Sequence, residues 1–175
     1  RYDLMNDLMS FGLHRIWKKL AVMAAMVRPD HRILDLAGGS GDLTRLFADR
    51  IGGNGHVVIL DINGEMLNIG RDRLIDAGVG EKISVVQANA ESLPFPSRTF
   101  DIVAIAFGLR NVTRKSAALD EMYRMLRPGG RALILEFSEL KLPRLKGLYD
   151  TLSLQVLPKL GELVTKDGDS YRYLA

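Results

Sequence analysis

Leu34-Asp35-Leu36-Ala37-Gly38-Gly39-Ser40-Gly41-Asp42 is the stretch that decides how this chain folds. It starts inside an apolar, β-rich run over 32–37 and ends where a helical pattern opens at Asp42, to close near Arg50 before Gly52-Gly53. Strand, glycine turn and helix in that order open a βαβ unit. Glycines in such a turn let the backbone approach a ligand that a Cβ would block, and the helix start presents N–H groups with no intrahelical partner. Taken alone, the motif also suits a tight turn that holds nothing.

The same alternation continues on both sides. Strands are expected over 56–62, 82–87, 100–106 and 131–137, with helices over 64–77 and 113–126. Arg127-Pro128-Gly129-Gly130 stops the last helix. Ahead of the glycine motif, a helix around 17–26 is broken by Pro29-Asp30. Beyond Leu140 the pattern weakens into two helical stretches, 144–154 and 155–164. Five short apolar strands alternating with helices predict an α/β fold, a Rossmann-like doubly wound sheet, mostly parallel and covered on both faces. Its crossovers are expected to be right-handed, and its ligand to lie at the carboxyl ends of the strands where their order reverses. The chain reads as one domain over 1–175: an N-terminal lid or helix over 1–30, the sheet over 31–140 and a helical cover over 141–175.

Composition narrows the function classes. With 175 residues, 47% of them apolar, the chain can bury one core. A formal charge of +3 without a dense Lys/Arg run argues against nucleic-acid binding, whereas attraction to an anionic membrane surface stays open. No cysteine is present, which excludes disulfides and thiolate metal sites, and His14, His31 and His56 have no metal-ligand spacing. The apolar runs are strand-length, too short to span a bilayer.

Asp61 closes the second strand twenty residues past Gly41, where a carboxylate can accept both hydroxyls of an adenosine ribose. Capping the next helix is its alternative role, but Asn63 is placed to do that instead. A nicotinamide-dependent oxidoreductase is the rival reading of these two features. It would show a third glycine where Thr44 stands, and Asp42 adds negative charge where a pyrophosphate would sit. A sulfonium nucleoside has no phosphate and carries a positive centre, which favours S-adenosylmethionine. The third feature is Gln87-Ala88-Asn89-Ala90-Glu91-Ser92-Leu93-Pro94-Phe95-Pro96, followed by Phe100-Asp101. It resembles the segment that class I methyltransferases place around the adenine. A local turn at Asn89 is the plain alternative.

Four stretches together resemble one family. Tyr2-Asp3-Leu4-Met5-Asn6-Asp7-Leu8-Met9-Ser10-Phe11-Gly12, the motif 34–42, Phe107-Gly108-Leu109-Arg110-Asn111-Val112 and Asp169-Ser170-Tyr171-Arg172-Tyr173-Leu174 look like the ubiquinone/menaquinone biosynthesis C-methyltransferases, the UbiE, MenG and Coq5 group. The resemblance spans essentially the whole chain. It implies a class I methyltransferase fold and methyl transfer from S-adenosylmethionine to a ring carbon of demethylmenaquinol or a polyprenyl methoxy-benzoquinol. It also implies that the sheet's last two strands lie beyond Ala175. Cofactor positions carry over to Gly38 and Ser40 in the glycine loop, Asp61 at the ribose, Asn89 and Ala90 at the adenine, and Ala106. Many members have Ser at this last position, so a contact there is apolar or through the backbone.

Such a reaction needs in-line attack by a quinol carbon whose hydroxyls push electron density into the ring. The tasks left to protein are alignment and removal of a hydroxyl proton. Arg110 is expected to support the developing phenolate, directly or through water, with a structural ion pair as its alternative. Tyr2, Asp3, Asn6 and Met9 are expected in a lid, although core packing suits Met9 better. His14 is a candidate base, with packing as its commoner role. A prenyl tail requires access from a membrane, and 140–164, with Lys141, Arg144, Lys146 and Lys159 among apolar residues, is a candidate contact; a helical cover is its alternative. The expected partners are thus a prenylated quinol, no nucleic acid, peripheral contact with the inner membrane from the cytoplasm, and a homodimer or a quinone-biosynthesis complex. A subunit that binds S-adenosylmethionine without turnover is the non-enzymatic alternative.

Overall fold

A computed structural model of the chain describes residues 13–136. Residues 17–136 form one compact unit, and the fold is that of this unit. Its elements are α1 (Leu13–Ala24, whose first turn precedes the unit), β1 (Arg32–Leu36), α2 (Asp42–Ala48), β2 (His56–Asp61), α3 (Gly64–Asp76), β3 (Ile83–Gln87), β4 (Phe100–Ala106), α4 (Lys115–Met125) and β5 (Leu126–Leu135). The sheet order is β3-β2-β1-β4-β5 and every pairing is parallel. Strand order therefore reverses between β1 and β4, as expected of a doubly wound sheet.

Period-two alternation sorts the strand side chains into two cores. Ile33, Val57, Ile59, Ile102 and Ala104 face one layer, where they meet Val22 of α1 and Ala25 just past it, Leu43 and Phe47 of α2, and Leu67 and Leu74 of α3. Leu34, Leu36, Val58, Leu60, Val103 and Ile105 face the other, against Met122 and Met125 of α4 and Leu93 of the loop after β3. Both faces of the central strands are dry, which is why those strands read as unbroken apolar runs.

Two boundaries differ from the sequence reading by more than two residues. The fifth strand begins at Leu126 and not at Arg131, because Leu126 pairs with Phe100 before a register shift between Phe100 and Ile102. The irregularity absorbs Pro128 and the glycines, and it turns Phe100 into the same layer as Val103 and Ile105. There Phe100 meets Phe95 edge to face, with ring centroids 5.3 Å apart. The first helix is already formed at Leu13, earlier than expected, and ends at Ala24, with Met26 at a φ of 48° beyond it. The expected lid residues Tyr2, Asp3, Asn6 and Met9 lie outside the described residues, as do 140–164 and the stretch from Asp169 to Leu174. The whole of the expected 141–175 cover and the first twelve residues of the expected 1–30 segment lie outside them too.

Candidate active site

The site grows from the carboxyl ends of parallel neighbours. Asp35 is buried in β1, and its Oδ2 accepts a 2.6 Å hydrogen bond from the Thr44 hydroxyl in the first turn of α2. Burial pushes the Asp35 carboxyl up to about 7 against the Thr44 bond and the Lys18 ammonium, which pull it down. Beyond Leu36 the chain turns sharply. Ala37 and Phe107, which follow the ends of the adjacent strands β1 and β4, hold φ values of 51° and 56°. Backbone strain of this kind in non-glycine residues collects where a ligand or a catalytic group must be placed.

The glycine loop is held by its own amides. Gly38 N–H donates to Leu60 O at 3.0 Å, Gly39 N–H to Asp61 Oδ2 at 3.0 Å and Gly41 N–H to Gly38 O at 2.9 Å. A Cβ on Gly38 would fall 2.5 Å from Ile59 Cγ1, so only glycine lets the loop settle on β2. Ser40 in the same loop is buried. Three of the loop's amides are thus committed inside the protein.

Asp61 ends β2. Its Oδ1 accepts the Asn63 N–H at 2.9 Å while Oδ2 holds Gly39. A carboxylate has about four lone-pair positions, so further donors can still be accepted. Capping falls to Asn63, whose Oδ1 takes the N–H groups of Glu65 and Met66 at 3.0 and 3.1 Å. Next to Asp61, Ile62 is 67% exposed, a large apolar side chain standing in water at the ligand end of the sheet.

Asp42 corrects one step of the sequence argument. Its carboxylate lies between Lys18 Nζ at 3.2 Å and the Arg73 guanidinium at 3.1 Å, so its charge is compensated by protein and is not held open for a cofactor. Arg73 also reaches the Ser40 carbonyl at 3.4 Å. One turn earlier in α3 is Gly70, where a Cβ would stand 2.6 Å from Gly39 O and 3.2 Å from the Ser40 carbonyl carbon. The helix thus rests directly on the back of the loop. The sequence reading missed Gly70 and Arg73; a lone glycine inside a helical pattern was the available signal.

Asn89 makes the local turn that was its alternative reading: its Oδ1 accepts the Glu91 N–H at 2.9 Å. The segment stays at the site, since Ala88 N–H donates to Asp61 O at 3.1 Å. Asn89 is exposed and Ala90 half-buried. The loop is pinned from α4 by residues not singled out in the sequence. Glu121 accepts the Leu93 N–H at 2.6 Å, and Arg124 donates to Phe95 O and Leu93 O at 2.9 and 3.0 Å. Glu121 and Arg124 also pair with each other, a bond that holds the Glu121 carboxyl below its ordinary value. Glu91 is held to Arg114 through that residue's backbone N–H and its guanidinium, which lowers its carboxyl too.

Ala106 ends β4, half-buried and in register with Leu135. Arg110 follows in the short turn Leu109–Asn111. It pairs with Glu136 at 3.1 Å and also donates its backbone N–H to that carboxylate at 3.3 Å. The ion pair named as the alternative for Arg110 is therefore present. His14, the candidate base, is buried. Gly38, Ser40, Asp61, Asn89, Ala90, Ala106 and Arg110 all follow or close the carboxyl ends of β1, β2, β3 and β4, along one edge of the sheet.

Comparison with known proteins completes the case. The sequence profile of the ubiE/COQ5 methyltransferase family matches residues 1–175. This chain belongs to that family. It is 57% identical over 175 residues to the ubiquinone/menaquinone biosynthesis C-methyltransferase UbiE of Methylococcus capsulatus, covering all of this chain and 71% of that protein. Among solved structures it resembles a SAM-dependent methyltransferase from Aquifex aeolicus, with a TM-score of 0.66 at 17% identity over 90% of this chain and 81% of the other. The cyclase SpnF gives the same TM-score of 0.66 at 21% identity, over 74% of this chain and 47% of SpnF. One fold thus carries different chemistries, and membership in the family rests on sequence. A member of the ubiE/COQ5 methyltransferase family takes its methyl group from S-adenosylmethionine. The residues present fit that donor: an acceptor at Asp61 for a ribose diol and an exposed apolar face beside it.

Proposed function

We propose that this protein methylates a ring carbon of a prenylated quinol, demethylmenaquinol or 2-polyprenyl-6-methoxy-1,4-benzoquinol, using S-adenosylmethionine. The observation that carries the reading is the ordered carboxyl edge of the sheet. It sets Asp61, bonded to the glycine loop, beside Asn89-Ala90, in a chain 57% identical to a UbiE protein. S-adenosylmethionine supplies an electrophilic methyl group on a positively charged sulfur. The chain's residues position and shelter it. Asp61 accepts the ribose hydroxyls, and Ile62 and Ala90 offer apolar contact to the adenine, with Asn89 at its edge. Gly38 and Ser40 border the amino-acid end, with Ala106 beside them at the end of β4.

Arg110 is the residue assigned to the quinol. Its pairing with Glu136 keeps it at the end of β4, and its positive charge favours the phenolate oxygen whose electrons activate the ring carbon. The enzyme then works as a peripheral protein at the cytoplasmic face of the membrane that holds its substrate. Among the described residues no helix is long and apolar enough to cross a membrane.

Anaerobic turnover with the quinol and with its oxidised quinone tests the reading. Methylation of the quinol alone is expected, because only the reduced ring donates electron density to the attacking carbon. Equal methylation of both, or of neither in the presence of bound S-adenosylmethionine, contradicts it. Arg110→Ala should cut kcat at least about tenfold with little change in cofactor affinity, as for loss of one charged stabilising group. Unchanged kcat would reduce Arg110 to its ion pair.

A further inference from the structure

The connection from β3 to β4, residues 88–99, passes over β2 and β1, because those two strands lie between β3 and β4 in the sheet. Parallel crossovers of this length are usually helical, and a helix satisfies its own backbone. This one contains no helix, so its course is set by bonds to other elements. Its far half is pinned from α4 by Glu121 and Arg124. Its near half, which carries Asn89 and Ala90, is tied across the sheet by Glu91.

The Glu91 carboxylate accepts the Arg114 backbone N–H at 2.9 Å as well as Arg114 Nε–H at 2.8 Å, and the Thr113 amide donates toward it. Bonds to backbone amides fix the course of a main chain, whereas an exposed ion pair alone is worth little. The Glu91 side chain is 9% exposed against 70% for that of Arg114, so the covered half of the pair is the one on the loop. Glu91 is equally fixed to its own turn: its N–H donates to Asn89 Oδ1 at 2.9 Å, and Ser92 N–H to Asn89 O at 3.0 Å. Arg114 caps the start of α4, and only Val112 and Thr113 separate it from the turn Leu109–Asn111 that carries Arg110. Glu91 thus joins the stretch after β3 to the stretch after β4, across the point where strand order reverses. We infer that Glu91 is a positioning residue for the cofactor, holding the Asn89–Ala90 turn against the start of α4. The inference rests on the proposed placement of the adenine at Asn89 and Ala90, and Glu91 acts through that turn without touching the cofactor.

Calorimetric titration of the full-length protein with S-adenosylmethionine, in the absence of quinol, tests it. Glu91→Ala should weaken binding at least about tenfold, the scale of losing one charge-assisted hydrogen bond. Glu91→Gln keeps an oxygen for the Arg114 N–H and should recover part of that loss. Arg114→Ala keeps the backbone bond and should lose about threefold at most. Asp101→Asn is the control for stability alone. Asp101 accepts the Arg32 N–H at 2.8 Å and the Arg127 guanidinium at 3.1 Å, a brace of the same kind at the amino ends of β1 and β4. That variant should lower the melting temperature and leave S-adenosylmethionine affinity unchanged. Unchanged affinity in Glu91→Ala overturns the inference, and so does an equal loss in Asp101→Asn. Equal losses in Glu91→Ala and Arg114→Ala overturn it too, since the ion pair and not the backbone brace is then responsible. Should Glu91→Ala not fold, Glu91→Gln decides, with a loss of about threefold or more expected and unchanged affinity contradicting the role. Quinol turnover separates this inference from the proposed reaction. Weakened binding in Glu91→Ala without wild-type turnover removes only the quinol reading, and wild-type turnover with normal affinity in Glu91→Ala removes only the positioning role.

Discussion

Asp61 braces the glycine loop with the same carboxylate that is proposed to hold the ribose, and single substitutions can separate the two roles. Its Oδ2 holds the Gly39 amide and its Oδ1 the Asn63 amide, and about two lone-pair positions remain for further donors. Asp61→Ala removes all of these acceptors. S-adenosylmethionine affinity by calorimetric titration should fall at least about a hundredfold, the scale of losing two charge-assisted hydrogen bonds. Asp61→Asn keeps one oxygen acceptor and should fall in between. An Asp61→Ala variant that binds normally would leave this residue a loop brace and nothing more. The neighbour is tested more gently: Ile62→Ser removes an exposed apolar face, so weaker cofactor binding with an unchanged melting temperature is the expected pair of results. A destabilised fold would instead mean that Ile62 packs as core.

At the scale of elements, α3 sets where the glycine loop lies. Gly70 lets the helix touch the loop backbone, and Arg73 ties the helix to Ser40 O and Asp42. Gly70→Ala should cost about 1–3 kcal/mol of stability through overpacking, despite the better helix propensity of alanine. It should also raise KM for S-adenosylmethionine more than it lowers kcat, because the added methyl pushes the Gly39–Ser40 backbone and not the quinol side. A stabilised variant with unchanged KM would show that the contact relaxes freely. On the opposite layer, α4 does the same for the loop after β3 through Glu121 and Arg124, although that i,i+3 pair alone looks like routine helix surface.

Across the whole molecule, buried charge makes stability depend on pH in two opposing ways. Asp35 has a folded value of about 7 against an ordinary 3.8, so the native state holds its proton more tightly than the unfolded chain. The resulting stabilisation is complete below pH about 4 and is lost as pH rises through about 7. Glu91, Asp101 and Glu121 are lowered, and the stability they contribute is lost as pH falls below their ordinary range. Urea unfolding of the wild type and of Asp35→Asn at pH 5, 6.5 and 8 isolates the first effect. The wild type should lose ground to the variant as pH rises, since Asn keeps an oxygen for Thr44 and has no charge to bury. A difference that does not change with pH would contradict the raised Asp35.

The amino-acid sequence by itself determined the order of strands and helices, the glycine loop after β1, the acid closing β2 and the family. All of these are local patterns: a two-residue or 3.6-residue period, a turn composition, a motif length. It also identified Asn63 as the cap that leaves Asp61 available. Tertiary structure alone decided what depends on residues far apart in the chain. It engaged the Asp42 charge with Lys18 and Arg73, gave Arg110 its partner Glu136, and made Gly70 a loop contact. It also moved the start of the fifth strand to Leu126, because pairing with Phe100 outweighed the local Pro-Gly-Gly signal. Periodicity tells which face of a helix is apolar. Only packing tells which way that face turns, and in α1 it leaves Leu20 and Met23 exposed.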